Sequence, residues 1–331
     1  MSLYIGSIVI AAILFFLELL YFRLADRYNI IDRPNERSSH TRITLRGGGV
    51  LFFFGAWLYS AFYGFDYPLF LLGLTAICAV SFLDDVHSIP NRVRILVHFA
   101  AMLLLFAQWG ILTAEQGWYV LPALILCTGI INAYNFMDGI NGITGGYSLA
   151  VLIPLTVTNA NAEFISPEFL SVTMLSVLVF CFFNFRKRAK CFAGDVGAVG
   201  IAFIIIFMLG LLIINTHHLW YLVFLAVYGV DTILTICHRL LLHENIFVAH
   251  RKHAYQLLAN ELHLPHTIVS TFYALLQLAI SLGAIYLPLN PWLYFLLTVV
   301  GLSALYICFM IKYYPLHVAY LAEQQNKIPI C

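Results

Sequence analysis

The chain has 331 residues, of which 62% are hydrophobic and 10% are charged, and its formal net charge is +1. Soluble domains carry about 25% charged residues, so this composition excludes a soluble protein and predicts an integral membrane protein. A net charge so close to zero favours neither a nucleic-acid partner nor an acidic one.

The apolar segments predict an all-α polytopic membrane protein that forms a single domain over residues 1–331. A helix needs roughly 20 mainly apolar residues to cross the hydrocarbon core of a bilayer. The first such segment is too long for a signal-peptide core and ends in arginine without a small-residue cleavage site, so we expect it to stay as a span. In chain order this template gives eleven spans: residues 3–22, 47–65, 68–83, 95–112, 119–137, 143–158, 168–185, 196–214, 219–237, 267–287 and 293–311.

The basic residues predict the orientation of these spans. All 17 lysines and arginines lie in segments that follow odd-numbered spans, and the loops that follow even-numbered spans contain none. Cytoplasmic loops collect lysine and arginine. We therefore expect the N-terminus outside and the C-terminus in the cytoplasm.

Polar residues collect after the same odd-numbered spans. The clusters cover residues 33–49, 82–94, 132–146, 186–200 and 238–256. Because all five would face one side of the membrane, we expect them to converge into an active site on the cytoplasmic face. The connections on the opposite face are short and contain no lysine or arginine.

Asp84 and Asp85 end the third span. Carboxylates at membrane depth are costly and usually functional, although a pair that is simply solvated at a helix end is the plain alternative. Negative charge at a helix C-terminus opposes the helix dipole. We therefore expect a compensating cation, which could be Arg92, Arg94 or a metal ion.

Asn132, Asn135 and Asp138 are spaced three residues apart, so they should lie along one helix face where the fifth span ends. Amide and carboxylate oxygens suit Mg²⁺, which usually shares its coordination with substrate phosphates. The glycines at 139, 142, 145 and 146 would let backbone N–H groups approach a phosphate or let another helix pack closely. Packing alone accounts for the glycines but not for the asparagines.

Asp195 begins the eighth span within "FAGDVG". It is either a helix cap or, beside two glycines and the basic run 186–190, part of a phosphate or metal site. The basic run is explained by the orientation of the chain, so we predict no catalytic role for it.

His250, Arg251 and His253 lie in the longest cytoplasmic loop. A single loop histidine usually has no function, but three such groups within four residues are typical of a diphosphate clamp, because arginine makes bidentate contacts with phosphate. Asp231 lies inside the ninth span and either lines the cavity or pairs with a neighbouring helix. The sequence does not decide between these two.

Four segments occur in an order that resembles a known family. They are "FLDDV" at 82–86, "NAYNFMDGINGITGG" at 132–146, "FAGDVGAVG" at 192–200 and "HRKHAYQ" at 250–256. Together they resemble the polyprenyl-phosphate N-acetylhexosamine-1-phosphate transferase family, of the glycosyltransferase family 4 type. The last segment and "RSSHTRITLRGGG" at 37–49 are most similar to the branch that begins O-antigen or capsule units.

The resemblance implies transfer of a sugar-1-phosphate from a UDP-N-acetylated hexosamine to undecaprenyl phosphate, with release of UMP. This would be the first membrane step of a cell-surface polysaccharide, in the inner (plasma) membrane of a bacterium. The implied cofactor is Mg²⁺, with Mn²⁺ as an alternative. Membrane lipid is expected as a partner and nucleic acid is not, and a homodimer is allowed.

The resemblance also implies roles for individual residues. Asp195 matches the principal magnesium aspartate of the family, and Asn135 matches the asparagine that assists it. The expected catalytic residues are Asp84, Asp85, Asp138, His250 and His253, and the expected substrate-binding residues are Asn132, Asn141, Arg251 and Arg46. Two departures from the muramoyl branch argue against a muramyl-peptide substrate. Ser88 stands where that branch has a lysine, and Arg251 and Lys252 interrupt the run of three histidines that is typical of that branch.

Other classes of membrane protein fit the sequence less well. A transporter would place polar groups near the bilayer midplane, on broken helices, whereas here they cluster at one face. The chain lacks the "PSGH" and "DGxxAR" segments typical of lipid phosphatases and of CDP-alcohol phosphotransferases. A purely structural membrane protein would not need five charged clusters on one side.

Overall fold

Helices form most of the chain in the computed structural model, which describes residues 3–34, 39–40, 42–113, 115, 117–246, 248 and 250–327. Twelve α-helices lie within these residues: α1 Leu3–Arg27, α2 Val50–Tyr63, α3 Pro68–Val86, α4 Asn91–Gln108, α5 Gly117–Met137, α6 Ile143–Ala162, α7 Pro167–Asn184, α8 Gly194–Thr216, α9 Ala226–Leu241, α10 Ala254–Asn260, α11 His266–Tyr286 and α12 Pro291–Lys327. A 3₁₀ segment, Leu219–Leu225, runs directly into α9.

The predicted all-α polytopic membrane fold is confirmed. Within the described residues, ten helical segments are long and apolar enough to cross a membrane, and the shorter α2 is an eleventh apolar helix. Each corresponds to one predicted span. The ninth consists of the 3₁₀ segment together with α9.

Several helix boundaries differ from the sequence prediction. Helix α2 begins three residues late, because the N–H groups of Gly48 and Gly49 bond to the carbonyls of Phe192 and Ala193 instead of entering the helix. Helix α4 begins four residues before the predicted span, and α12 continues far beyond residue 311. Helix α10 was not predicted.

A two-stranded hairpin, also absent from the sequence prediction, links the loop after α1 to the loop after α7. Strand β1 is Ile31–Asp32, and it pairs antiparallel with β2, Thr44–Leu45. Leu45 also forms a parallel bridge to Cys191. The hairpin thereby places the next residue, Arg46, beside the start of α8.

Helix α8 lies at the centre of the bundle and contacts α2, α3, α5 and α6. Its Phe207 stacks on Phe70 of α3, with ring centroids 4.1 Å apart. At the start of α8, Gly197 approaches Gly49 so closely that a Cβ on Gly49 would lie 2.3 Å from the Cα of Gly197. Lipid tails are as apolar as these side chains, so close packing holds such helices together more than escape from water does.

The segments that follow α1, α3, α5, α7 and α9 meet at one end of the bundle, as predicted. The Asn141 side-chain amide donates to the carbonyl of Arg186 at 2.9 Å, which joins the segments after α5 and α7. The Tyr255 hydroxyl donates to the carbonyl of Phe136 at 2.9 Å, which brings α10 to the end of α5. The side of the membrane on which this end lies stays a prediction from the basic residues.

That orientation predicts the labelling of two exposed positions at opposite ends of the bundle. Asn161→Cys should react with a membrane-impermeant maleimide in intact cells, and Ser88→Cys should react only after the membrane is permeabilised. Both variants need a parent in which Cys237, Cys308 and Cys331 are replaced by serine, since the first two are exposed. Labelling of Ser88→Cys in intact cells would reverse the orientation.

Candidate active site

Two arginines and three carboxylates form an ion-pair network where α3, α4 and α8 meet. Arg46 contacts Asp85 at 2.7 Å and Asp195 at 3.1 Å. Arg94 contacts Asp84 at 2.6 Å and Asp195 at 3.3 Å. Asp195 is therefore held between both guanidinium groups.

Asp85 also caps helix α8. Its carboxylate accepts the N–H groups of Asp195 at 2.9 Å and Val196 at 3.0 Å, and its side chain is fully buried. Gly194 has a left-handed φ of +72°, and a Cβ there would lie 2.6 Å from the Asp85 carboxylate. The cap of α8 is thus supplied by another helix, and the Asp195 side chain points to the arginines instead.

Asp84 is held by the segment that follows it. It accepts the N–H of Ile89 at 2.8 Å, in addition to its contact with Arg94. The expected compensating cation at this helix end is therefore Arg94, and a second one, Arg46, comes from a loop far away in the sequence. No local pattern indicated that Arg46 faces Asp85.

Five predicted site residues line a single cavity of about 400 Å³ beside this network. They are Arg46, Asn135, Asp138, Asn141 and Asp195. They come from the loop before α2, the end of α5, the turn before α6 and the start of α8. The structure thus brings together residues that are far apart in the chain.

Asp138 is the most enclosed carboxyl of the cavity. The Thr144 hydroxyl donates to it. Burial raises the pKa of Asp138 to about 7; the Thr144 hydrogen bond lowers that pKa, while the charges of Asp195 and Asp85 raise it further. Asp138 therefore lies close to its titration point at neutral pH.

Asn141 offers an unused acceptor in the cavity wall. Its side-chain nitrogen donates to the Arg186 carbonyl, but its Oδ1 is buried and has no hydrogen-bond partner among the described residues. A buried acceptor without a partner costs roughly 1–3 kcal/mol. A bound group with an N–H, an O–H or a positive charge would remove that cost.

The glycines after α5 serve packing. A Cβ on Gly139 would lie 2.2 Å from the Tyr255 hydroxyl oxygen. Gly142 adopts a left-handed φ of +85°, and a Cβ there would lie 2.5 Å from the ring of Phe185. The close approach of other segments therefore accounts for both glycines.

Six predicted residues do not line the cavity: Asp84 and Asp85, which belong to the network, and four others. Asn132 is exposed on α5. Arg251 contacts Glu261 at 3.2 Å, and the buried His253 contacts Asp231 at 3.1 Å. The fourth, His250, is half-buried, and burial is the main cause that lowers its pKa to about 3.

A second cavity of about 520 Å³ adjoins the first and shares His40, Asn141 and Phe192 with it. Its lining is strongly basic and includes Arg42, Lys187, Arg188 and Lys190. From the sequence, the orientation of the chain alone explains the run 186–190. Only the fold reveals that this run faces a cavity.

Comparisons with known proteins agree with the resemblance seen in the motifs. Residues 67–216 match Glycosyl transferase family 4. The chain is 30% identical over 207 residues to the probable undecaprenyl-phosphate N-acetylglucosaminyl 1-phosphate transferase of Bacillus subtilis (strain 168), covering 57% of this chain and 58% of that protein. It is 29% identical over 169 residues to the phospho-N-acetylmuramoyl-pentapeptide-transferase of Thermotoga maritima, covering 46% and 55%.

A third relative is the undecaprenyl-phosphate alpha-N-acetylglucosaminyl 1-phosphate transferase of Thermotoga maritima, 31% identical over 144 residues, or 42% of this chain and 47% of that protein. The chain thus spans about half the length of the curated relatives it matches. The predicted family resemblance is confirmed. The family match covers α3 to α8, which carry all of the network's carboxylates but not Arg46.

The cap on α8 predicts a structural effect for one carboxylate. Asp85→Ala should destabilise the protein by about 3–5 kcal/mol. The Arg46 guanidinium and the N–H groups of Asp195 and Val196 would lose the buried carboxylate that they contact. The midpoint of thermal unfolding in detergent measures this loss. Asp26→Ala, at an exposed position of α1, is the matched control and should change stability by less than about 0.5 kcal/mol. Equal midpoints for the two variants would contradict the capping role.

Proposed function

We propose that this chain, whose residues 67–216 match Glycosyl transferase family 4, transfers an N-acetylhexosamine-1-phosphate from a UDP-sugar to undecaprenyl phosphate. UMP is the second product, and the reaction begins a cell-surface polysaccharide at the bacterial inner membrane. The observation that carries the proposal is Asp195, held between Arg46 and Arg94 beside a polar cavity at one end of the helices. Its immediate surroundings offer both carboxylates and cations, as the transfer of a phosphoryl group requires.

The donor set in the cavity fits a hard divalent cation. Asp195 and Asn135 line it with oxygen atoms, and Asn141 adds an acceptor without a partner. No group of three His, Cys, Asp or Glu side chains in the described residues could hold a metal. Mg²⁺ needs no such group, because it usually binds one or two carboxylates together with substrate phosphates. Mn²⁺ has similar ligand preferences.

The charge balance of the network supports the same cation. Asp84, Asp85 and Asp195 face only two guanidinium groups. Asp138 lies near enough that the charges of Asp85 and Asp195 raise its pKa. A bound Mg²⁺ would neutralise this excess and the charge that develops on the diphosphate.

The basic cavity suits the donor nucleotide. A UDP-sugar carries its negative charge on the diphosphate, and arginine and lysine side chains bind such groups. Arg42, Lys187 and Lys190 line this cavity, and Asn141 belongs to both cavities. A donor bound across the shared wall would bring its β-phosphate towards Asp195.

The acceptor reaches the network from the membrane. Arg94 lies in the first turn of α4, and exposed apolar residues such as Leu96 and Phe99 follow it on the same helix. A polyprenyl tail along α4 would place its phosphate at Arg94. An oxygen of that phosphate would attack the β-phosphorus of the donor, forming a new phosphoanhydride as the bond to the α-phosphate oxygen breaks and UMP leaves.

A transporter remains the alternative class. It predicts polar groups at the middle of the membrane, on interrupted helices. The polar residues that line the two cavities lie at the ends of α5 and α8 and in the adjoining loops. This position favours the transferase.

The nucleotide product tests the proposed reaction. Purified protein with Mg²⁺, undecaprenyl phosphate and a panel of UDP-N-acetylhexosamines should release UMP, because attack at the β-phosphorus cleaves the diphosphate. Asp195→Asn should elute as a folded protein and release none, since it removes the charge that would hold the ion. Release of UDP, or solute flux in liposomes without any nucleotide product, would overturn the proposal.

The pH dependence of Asp84→Asn tests whether this carboxylate acts as a general base. The second pKa of a phosphate monoester is about 6, so the acceptor is mostly dianionic at neutral pH, and Arg94 already holds Asp84 in place. We expect activity to fall by the same factor at every pH from about 7 upward. Recovery of activity at alkaline pH would assign the role of general base to Asp84.

A further inference from the structure

A buried carboxylate in α9 organises the first residues of α10. The Asp231 residue is 4% exposed and lies within a membrane-spanning segment. Its Oδ1 contacts His253 Nδ1 at 3.1 Å and accepts the N–H of Ala254 at 3.2 Å. Its Oδ2 accepts the Tyr273 hydroxyl at 2.6 Å. Sequence reasoning left open whether Asp231 lines a cavity or pairs with a neighbour, and the structure shows the pairing.

The donors around Asp231 determine the protonation of His253. The hydroxyl of Thr235 also donates to Oδ1, at 3.2 Å. A carboxylate with so many donors acts only as an acceptor. The proton of the Asp231–His253 contact therefore resides on Nδ1 of the imidazole.

The other ring nitrogen of His253 faces no polar atom that the structure describes within hydrogen-bond distance. Its Nε2 is buried and makes no hydrogen bond among the described residues, and the whole residue is 0% exposed. The ring lies 6.2 Å from that of Phe136, at the end of α5, and 5.9 Å from that of Tyr255. The backbone N–H of His253 donates to Gln256, whose side chain lines the 400 Å³ cavity.

We propose that Asp231 is a positioning residue that acts through His253. It holds the imidazole in the Nδ1–H form and orients the ring, so that Nε2 is left for a hydrogen bond with the substrate. An unpartnered buried ring nitrogen costs free energy that a substrate hydroxyl or amide N–H, donating to Nε2, would recover on binding. The effect of Asp231 on turnover rests on the proposed transferase function. The position of the proton on the His253 ring does not depend on that function.

A purely structural role for Asp231 is the competing explanation, since the carboxylate also joins α9 to α10 and α11. The two oxygens separate the explanations. Oδ1 holds His253, whereas Oδ2 holds Tyr273. Tyr273→Phe therefore removes one bond that joins helices and leaves the contact with His253 in place.

The kinetic test compares Asp231→Asn with Tyr273→Phe, the matched control. An asparagine whose amide donates to Nδ1 would move the ring proton from Nδ1 to Nε2. Asp231→Asn should therefore lower kcat at least about 10-fold. Its KM values for both substrates should change less than about 3-fold, because the substrate contacts outside His253 remain. Tyr273→Phe should leave kcat within about 3-fold, and Asp231→Glu should recover part of the loss. Equal losses in Asp231→Asn and Tyr273→Phe would overturn the inference.

A spectroscopic test does not require activity. Solid-state NMR of the ¹⁵N-histidine protein in lipid reports which ring nitrogen carries the proton, and His253→Asn identifies the signal by its absence. We expect His253 to be protonated at Nδ1 in the wild type and no longer at Nδ1 alone in Asp231→Asn. An unchanged His253 signal in that variant would overturn the inference. A wild type that releases no UMP but shows this NMR change would refute the proposed function and retain the Asp231–His253 link.

Discussion

The cap that Asp85 places on helix α8 is the interaction on which the rest of the site depends. Most helices are capped by a residue just before their first turn, but Ala193 before α8 supplies no side-chain cap, and the first helical residue, Gly194, has a left-handed φ of +72°. The first amides of α8 bond instead to a carboxylate from α3. These two hydrogen bonds fix α8, the central helix, to α3 at the first turn of α8, which contains Asp195. The Asp195 side chain is left to face the arginines and the cavity.

The same arginines serve both stability and the proposed chemistry. Arg46 pairs with the buried Asp85 and with Asp195, which lines the cavity. Arg94 pairs with Asp84 and with Asp195. Removing Asp85, the fully buried member of the network, is expected to be strongly destabilising, because Arg46 and two amides of α8 lose a partner. A site built this way holds its carboxylates in position before substrate arrives, which is how positioning contributes to catalysis.

Charge pairing also explains the loop between α9 and α10. Arg251 pairs with Glu261, which in turn contacts His317 of α12 at 2.7 Å. Arg239 is 3% exposed and donates to three carbonyls of the loop. Most basic groups here thus hold the loop onto α9 and α12. Among the described residues, the buried Nε2 of His253 in this loop has no hydrogen-bond partner.

The sequence by itself determined the membrane-spanning helices and the end of the bundle at which the chemistry collects. Both follow from local properties, because a helix that crosses a bilayer must be long and apolar and polar side chains are excluded from the hydrocarbon. The spacing of Asn132, Asn135 and Asp138 predicted one shared face, and two of the three, Asn135 and Asp138, line the cavity, whereas Asn132 is exposed on α5.

Only the tertiary structure decided which partner each charge has. Arg46 meets Asp195 across 149 residues of sequence, and Asp231 meets His253 across 22. A cap supplied by another helix leaves no signature beside the helix that it caps, so Asp85 could not be distinguished from Asp84 as the cap. The composition of the basic run 186–190 would be the same whether it faced a cavity or only solvent, so the sequence could not distinguish the two. Such assignments depend on how the helices pack, which no single segment encodes.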